Sequence, residues 1–134
     1  MKENIQYLVL QKDYIDYQGK IMGFYKPEYG DSFNEGTIDN SALIGLALIE
    51  GDVIGAGRVI SDLSRHAVIV DLVVSETWRR QGIGSELIKL LVNKLKEEKV
   101  MYIGLAKDPN YPWLKDFYIK LGFKARPSDS YFEI

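Results

Sequence analysis

The stretch DLVVSETWRRQGIGSELIKLLVNKLKEEK (71–99) decides the fold that the sequence predicts. It begins at the end of an apolar, β-branched run, HAVIVDLVV (66–74), which predicts a strand that is central in a sheet because both of its faces are apolar. Beyond Gly82 and Gly84, apolar residues recur at the i, i+3, i+4 spacing of an amphipathic helix: Leu87, Ile88, Leu91, Val92 and Leu95. The stretch therefore predicts a strand, a glycine-containing turn and a helix.

The residues that follow this helix predict a parallel strand pair. VMYIGLA (100–106) is a second buried strand, and a strand, a crossover helix and a strand form a βαβ unit. A further helix is expected next, capped by Asp108 or Asn110, with Pro112 in its first turn, and ended by Gly122. Its apolar face carries Leu114, Phe117, Tyr118 and Leu121. The last strands are predicted at 123–126 and 130–134.

The residues that precede the decisive stretch predict an antiparallel meander. ALIGLALIE (42–50) and DVIGAGRVI (52–60) form a hairpin signal, and IQYLVLQ (5–11) is a first strand. One or two short helices with loop are expected in 13–40, where aromatic residues are frequent. The fold class is therefore α+β, with three α/β layers and a mixed, mostly antiparallel sheet. Residues 1–134 are expected to form a single domain.

Composition excludes several classes of function. The net charge of −2 and the pI near 5.4 provide no overall field for nucleic acid or anionic lipid, so neither nucleic acid nor a membrane is an expected partner. The chain has no cysteine and one histidine, which excludes disulfides, thiolate nucleophiles and multi-histidine metal sites. No metal is expected. The beginning of the chain lacks a signal-peptide pattern and no apolar run could span a bilayer, so a cytoplasmic location is expected.

The turn RRQGIGS (79–85) is the strongest candidate for a binding site. Glycines let a ligand approach the backbone, and the first amides of a helix lie at the positive end of its dipole, so the turn suits an anion such as phosphate. The alternative is a tight turn beside two solvated arginines. Gly-Lys-Ser/Thr of a P-loop occurs nowhere, and Leu87 stands where a dinucleotide fingerprint needs its third glycine.

Two motifs together resemble the GNAT superfamily of acyl-CoA-dependent N-acyltransferases. The first, R/Q-x-x-G-x-G/A after the fourth strand, is matched by Arg79, Gly82 and Gly84, and DLVVSETWR (71–79) precedes it. The second, aromatic-Tyr-x-Lys-x-Gly-Phe, is matched by FYIKLGF (117–123). The resemblance covers roughly residues 41–126, and the predicted order of elements is similar to that of the family.

The resemblance implies a sheet that is splayed between parallel strands 4 and 5, with acetyl-CoA as cosubstrate in the gap. The backbone of the fourth strand would pair with the pantetheine at Leu72, Val73 and Val74. The pyrophosphate would lie on the turn, at Arg79, Arg80, Gln81, Gly82, Ile83, Gly84 and Ser85. Many members carry an asparagine seven residues before the tyrosine, where this chain has Tyr111.

The resemblance also implies that Tyr118 faces the thioester sulfur. A phenol with a pKa of about 10 can protonate a departing thiolate, and an N–H near Val74 would polarise the carbonyl. From the residues alone, core packing of Tyr118 is the alternative, because it shares an apolar helix face with Leu121. For the general base the sequence offers several candidates without selecting one: Asp71, Glu50, Asp62 and His66.

The expected activity is transfer of an acetyl group from acetyl-CoA to a primary amine of a small molecule or a protein, by direct attack. The alternatives are a non-catalytic acyl-CoA-binding sensor or interaction module, and a structural protein. Residues 13–40 are expected to supply much of the acceptor site, because the later motifs are assigned to the cofactor. A homodimer is an expected assembly, since family members are often dimers.

Overall fold

The computed structural model describes residues 4–105 and 114–124, apart from the side chains of Leu114 and Phe117. These residues form one sheet in the order β1-β2-β3-β4-β5. Its strands are β1 (Gln6–Leu10), β2 (Leu43–Ile49), β3 (Asp52–Ser61), β4 (His66–Val74) and β5 (Tyr102–Leu105). Strands β1 to β4 pair antiparallel, and β4 pairs with β5 in parallel. The mixed, mostly antiparallel sheet is confirmed.

The helices of the described residues are α1 (Gln18–Tyr29), α2 (Glu35–Asp39), α3 (Ile83–Glu97) and α4 (Leu114–Lys120). Short 3₁₀ turns occupy Gly30–Ser32 and Glu76–Trp78. Asn34 caps α2, because its side chain accepts from the backbone N–H of Thr37 and the Thr37 hydroxyl accepts from the Asn34 N–H. Two helices in 13–40 are thus confirmed, although α1 is longer than the sequence pattern indicates.

Both faces of the sheet are covered, which gives three layers. One face packs against α1 and α2 through Tyr25, Phe33, Ile38 and alternate residues of β2, Ile44, Leu46 and Leu48. The other face packs against α3, whose buried residues are Ile83, Leu87, Ile88, Leu91 and Leu95. The predicted apolar stripe of α3 is therefore confirmed. Burial on both sides explains why β2 is apolar along its whole length.

Strand β4 differs in part from its prediction. It has neighbours on both edges, β3 and β5, but it is not the middle strand of the described sheet. Ala67 and Ile69 are buried towards α3, whereas Val68 on the opposite face is 39% exposed. The β-branched composition of β4 therefore predicted its strand state correctly but overestimated its burial.

Helix α4 ends as the sequence predicts. Gly122 has φ +97°, and two backbone bonds close the last turn, from Phe123 N–H to Tyr118 O and from Gly122 N–H to Ile119 O. This pair of bonds is the Schellman arrangement, which requires a residue in the left-handed region and therefore favours glycine. Some predicted features lie outside the described residues: the cap at Asp108 or Asn110, Pro112 in the first turn, and Tyr111. The same holds for the strands predicted at 123–126 and 130–134, of which only residues 123 and 124 are described.

Candidate functional site

The carboxyl end of β4 has backbone groups on the edge that faces away from β3. The described β5 residues pair with 66–69 of β4, and no described strand lies beside Leu72, Val73 and Val74 on that edge. Ser75 donates its N–H to Ile54 O of β3 at 2.8 Å. Because backbone groups alternate along an antiparallel strand, the N–H and the carbonyl of Val74 point away from β3. The end of β4 therefore offers an extended ligand the N–H of Val74 as a donor, whereas the Val74 carbonyl also accepts from Arg79 Nε.

The turn between β4 and α3 exposes a set of amides. Gly82 is the N-cap of α3 with φ +81°, a conformation that favours glycine, and no side chain caps the helix. The first bond into the helix runs from Glu86 N–H to Gly82 O. Within the described part of the chain, nothing accepts a hydrogen bond from the N–H groups of 80–85. An anion would satisfy these donors and the helix dipole together.

Side chains of the turn have different surroundings. Arg79 and Arg80 are exposed, and Arg79 donates from Nε to the carbonyl of Val74 at 3.0 Å. This bond connects the turn to the end of β4 and leaves the terminal nitrogens of Arg79 for other acceptors. Ile83 is 1% exposed and packs in the core, so only its backbone could face a ligand.

An open groove of about 560 Å³ lies between α1, the start of β3 and the end of β4. From α1 it is lined by Lys20, Gly23, Phe24, Pro27 and Glu28, and from the hairpin by Asp52 and Val53. Its other wall consists of Val73, Val74, Ser75, Glu76 and Arg79. The groove therefore brings part of the predicted acceptor region to the predicted cofactor strand.

The charges of the groove were not anticipated from the sequence. Lys20 donates to Gly51 O at 2.6 Å, and Arg79 is bonded to Val74. The carboxylates of Glu28, Asp52 and Glu76 have no ion pair or hydrogen bond with any described residue. These acids come from three separated segments, so no local pattern connects them. Of these acids, only Glu76 could have been recognised from the sequence, because it lies directly between the strand and the glycine turn.

Tyr118 lies on α4, one turn before the glycine that ends the helix. It is half-buried and packs against the apolar cluster shared by α3 and the sheet, as Leu121 and Phe123 also do. The ring thus contributes to packing, as the alternative interpretation of the sequence requires. A hydroxyl at the edge of a packed ring can also serve as a proton donor, so packing does not exclude the catalytic interpretation.

The candidate bases named from the sequence lie in different environments. Asp71 accepts a 2.6 Å hydrogen bond from Arg58 Nε and is thus engaged in an ion pair. Hydrogen bonds from the N–H groups of Ser64, Arg65 and His66 lower the pKa of Asp62, which closes a turn. That turn adjoins the start of β4, about 25 Å from Val74 at about 3.3 Å per residue.

The remaining two candidate bases also have surroundings that the structure defines. His66 stacks on Tyr102 with ring centroids 5.0 Å apart, at the same end of β4 as Asp62. Glu50 is exposed in the β2–β3 turn with φ +49°. Glu76 lines the groove beside Val74, and it was not among the candidates.

No group of three or more His, Asp or Glu side chains in residues 4–105 and 114–124 could hold a metal ion. None of the helices in the same residues has both the length and the apolar character needed to cross a bilayer.

Comparison with known families and proteins gives consistent matches. A model of the acetyltransferase (GNAT) family matches residues 7–123. "GCN5-related N-acetyltransferase 2, chloroplastic" of Arabidopsis thaliana is 36% identical over 78 residues, which are 58% of this chain and 29% of that protein. "Uncharacterized N-acetyltransferase ycf52" of Gracilaria tenuistipitata var. liui is 33% identical over 94 residues, 67% of this chain and 50% of that protein. The chain thus spans half or less of the length of these curated relatives.

A solved structure supports the same assignment. The GNAT family acetyltransferase of Streptococcus pneumoniae TIGR4 superposes with a TM-score of 0.75 at 25% identity. The superposition covers 90% of this chain and 88% of that one.

Proposed function

The chain belongs to the acetyltransferase (GNAT) family, and on that premise we propose that it transfers an acetyl group from acetyl-CoA to a primary amine. The observation that carries the proposal is a juxtaposition: the backbone edge at Val74, the amides of 80–85 and the groove beside α1 adjoin one another, and within the described residues neither the edge nor the amides are paired with another strand or acceptor. Donor and acceptor of an acyl group need such adjoining sites, because the reaction occurs by direct attack of one on the other.

The turn supports a site for the pyrophosphate of the donor. The N–H groups of 80–85 are unpaired within the described residues, and Arg79 and Arg80 provide positive charge next to them. The backbone edge from Leu72 to Val74 would pair with the pantetheine. Acetyl-CoA, when bound, supplies the thioester carbonyl that the amine attacks.

Three groups of this chain would perform the chemistry. The N–H of Val74 polarises the acyl carbonyl, which favours charge developing on its oxygen. Tyr118 gives its hydroxyl proton to the departing sulfur and regains a proton from the attacking nitrogen, which loses its second proton on becoming an amide. Glu76, at the groove wall and without a partner among the described residues, receives the proton of the incoming ammonium, directly or through a water molecule.

The groove also supports the class of the acceptor. Glu28 and Asp52 accompany Glu76 in its walls, and both lining cations already donate to backbone carbonyls. Carboxylates near the attacking nitrogen favour an amine that arrives as a cation. The aromatic ring of Phe24 offers an apolar contact to the remainder of such a molecule.

Release of CoA in the presence of amines tests the proposal. The protein has no cysteine, so a thiol reagent detects only the CoA that is formed. Acetyl-CoA with a panel of small amines and basic peptides should give CoA and an acetylated amine that mass spectrometry identifies. Binding of acetyl-CoA without turnover of any amine would favour a non-catalytic acyl-CoA-binding module, and absence of a thermal shift with CoA would exclude both.

Other expectations from the sequence stay predictions. They are a single domain over 1–134, a homodimer and a cytoplasmic location. For the location, the relative from Arabidopsis thaliana is named as chloroplastic. Sedimentation of the purified chain measures the assembly, and imaging in the source cell measures the location.

A further inference from the structure

Asp71 has an unusual conformation in the middle of β4. Its φ is +53°, in the left-handed region that non-glycine residues rarely adopt. The ladder with β3 shifts register at this position, because Ala56 pairs with Val73 while Arg58 pairs with Val70. Asp71 and Leu72 thus lie opposite Gly57 alone, which defines a β-bulge.

The bulge decides which way the end of the strand faces. Before it, Ala67 and Ile69 face α3, and a regular strand would continue with 71 and 73 on that side. After it, Leu72 and Val74 pack on the α3 side, whereas Val73 packs towards α1. One extra residue therefore reverses the faces of the strand, and with them the orientation of the Val74 backbone.

Tyr25 of α1 holds the bulge through a hydrogen bond to the backbone of Asp71. The Tyr25 hydroxyl donates to the Asp71 carbonyl at 2.7 Å, and the ring is fully buried with its centroid 4.4 Å from that of Phe33. Burial raises the pKa of Tyr25 well above its ordinary value, and the Asp71 charge raises it further, so the hydroxyl stays a donor. Removing this hydroxyl would leave the Asp71 carbonyl beside an apolar ring, without the hydrogen bond from Tyr25.

Arg58 of β3 holds the bulge through the side chain of Asp71. Its Nε donates to Asp71 Oδ2 at 2.6 Å, and the two side chains are only 14% and 26% exposed. A second guanidinium nitrogen donates to Ser41 Oγ at 3.2 Å, which fixes the direction of the arginine. Tyr25 and Arg58 therefore reach the same residue from the helix layer and from the neighbouring strand.

We propose that Tyr25 and Arg58 are positioning residues that hold Asp71 in its left-handed conformation and so aim the Val74 N–H at the acyl carbonyl. The inference rests on the proposed function, because it assigns a purpose to the geometry of that same strand end. Neither residue touches the substrate. Both act through the backbone between Asp71 and Val74.

The first experiment removes one hydroxyl and compares it with a matched control. Tyr25→Phe should lower kcat about tenfold, as expected for a lost buried hydrogen bond, while Kd for acetyl-CoA changes less than about threefold. Ser61→Ala is the control, because the Ser61 hydroxyl also donates to a backbone carbonyl of β4, that of His66, at 2.7 Å, but at the end of the strand opposite to the bulge. It should lower the stability and keep kcat.

A spectroscopic readout separates positioning from simple structural support. With ¹³C at the thioester carbonyl of acetyl-CoA, binding to the wild type should shift the carbonyl resonance downfield, because the Val74 N–H polarises it. Tyr25→Phe should reduce that shift, and Ser61→Ala should preserve it.

A double-mutant cycle tests the role of the backbone conformation. The Asp71→Gly variant can adopt positive φ without strain, so the bulge should persist without the contacts of Tyr25 and Arg58. Tyr25→Phe in that background should therefore lower kcat by less than about threefold. Arg58→Lys keeps a cation near Asp71 and should retain more activity than Arg58→Met.

Unchanged kcat and an unchanged carbonyl shift in folded Tyr25→Phe would overturn the inference while leaving acetyl transfer intact. An equal loss of kcat with and without Asp71→Gly would overturn it as well. A wild-type chain that neither binds labelled acetyl-CoA nor releases CoA would contradict the proposed function itself, and the inference with it.

Discussion

The Nε of Arg79 lies 3.0 Å from the carbonyl oxygen of Val74, so the first residue of the glycine turn is bonded to the last residue of β4. In the proposed function, the turn and the strand end bind different parts of the same ligand. This bond therefore couples the position of the amides of 80–85 to the open strand edge.

Arg79→Ala should weaken acetyl-CoA binding about tenfold, because it removes both this bond and a positive charge. Arg80→Ala removes the same charge from a side chain without a partner among the described residues, and about a threefold loss is expected. Calorimetric titration with acetyl-CoA at two salt concentrations compares them. Equal losses of affinity in the two variants, both absent at the higher salt concentration, would show that Arg79 contributes only its charge.

Gly82→Val should lower the acetyl-CoA affinity at least about tenfold, which is about 1.4 kcal/mol. Valine disfavours the φ of +81° that places the turn amides, and its branches would block the approach of a ligand. Gly19→Val is the matched control, since Gly19 also has open space around it but lies on α1. A folded Gly82→Val protein with wild-type affinity would contradict the binding assignment.

Tyr118→Phe should decrease kcat by about 10²–10⁴-fold if the hydroxyl is the proton donor. The ring and its packing against the α3 cluster are retained, so acetyl-CoA binding should be nearly unchanged. Single-turnover kinetics measures the chemical step separately from product release. If more than about a third of that rate survives, core packing is the role of Tyr118, and water supplies the proton.

Glu28→Gln and Glu76→Gln distinguish binding of the acceptor from chemistry. Glu28 is a groove residue of α1, and its loss should raise KM for a cationic amine about threefold to tenfold with little change in kcat. Glu76→Gln should lower kcat and shift the rate profile to higher pH, because the free amine must then form without help. Identical effects of both variants on KM alone would remove Glu76 as the base.

Asp62→Ala should destabilise the fold in a pH-dependent manner. Hydrogen bonds from three backbone N–H groups hold the pKa of Asp62 below its unfolded value. The stabilisation is therefore complete above the unfolded pKa of about 3.9 and disappears as the pH falls through the lower folded value. Urea unfolding at pH 7 and pH 3 should show a difference between wild type and variant that narrows at pH 3. If the difference in the free energy of unfolding between wild type and variant is the same at both pH values, packing and not the charge of Asp62 is its cause.

Local periodicity was sufficient to predict most elements of the fold. The i, i+3, i+4 spacing from Leu87 to Leu95 predicted α3, and the β-branched runs predicted strands β1 to β5. Gly122 ended α4 as predicted. These features depend on residues close in the chain, whose conformations follow from side-chain sterics and from the burial of one face.

The tertiary structure alone decided which distant residues meet. Tyr25 and Asp71 are 46 positions apart, and their hydrogen bond requires α1 to cross the sheet at the bulge. Likewise Glu28, Asp52 and Glu76 line one groove only because α1 packs beside the start of β3 and the end of β4. Sequence periodicity determines which face of an element is buried, but the register of a strand pair and the placement of a helix depend on side-chain packing across the whole core.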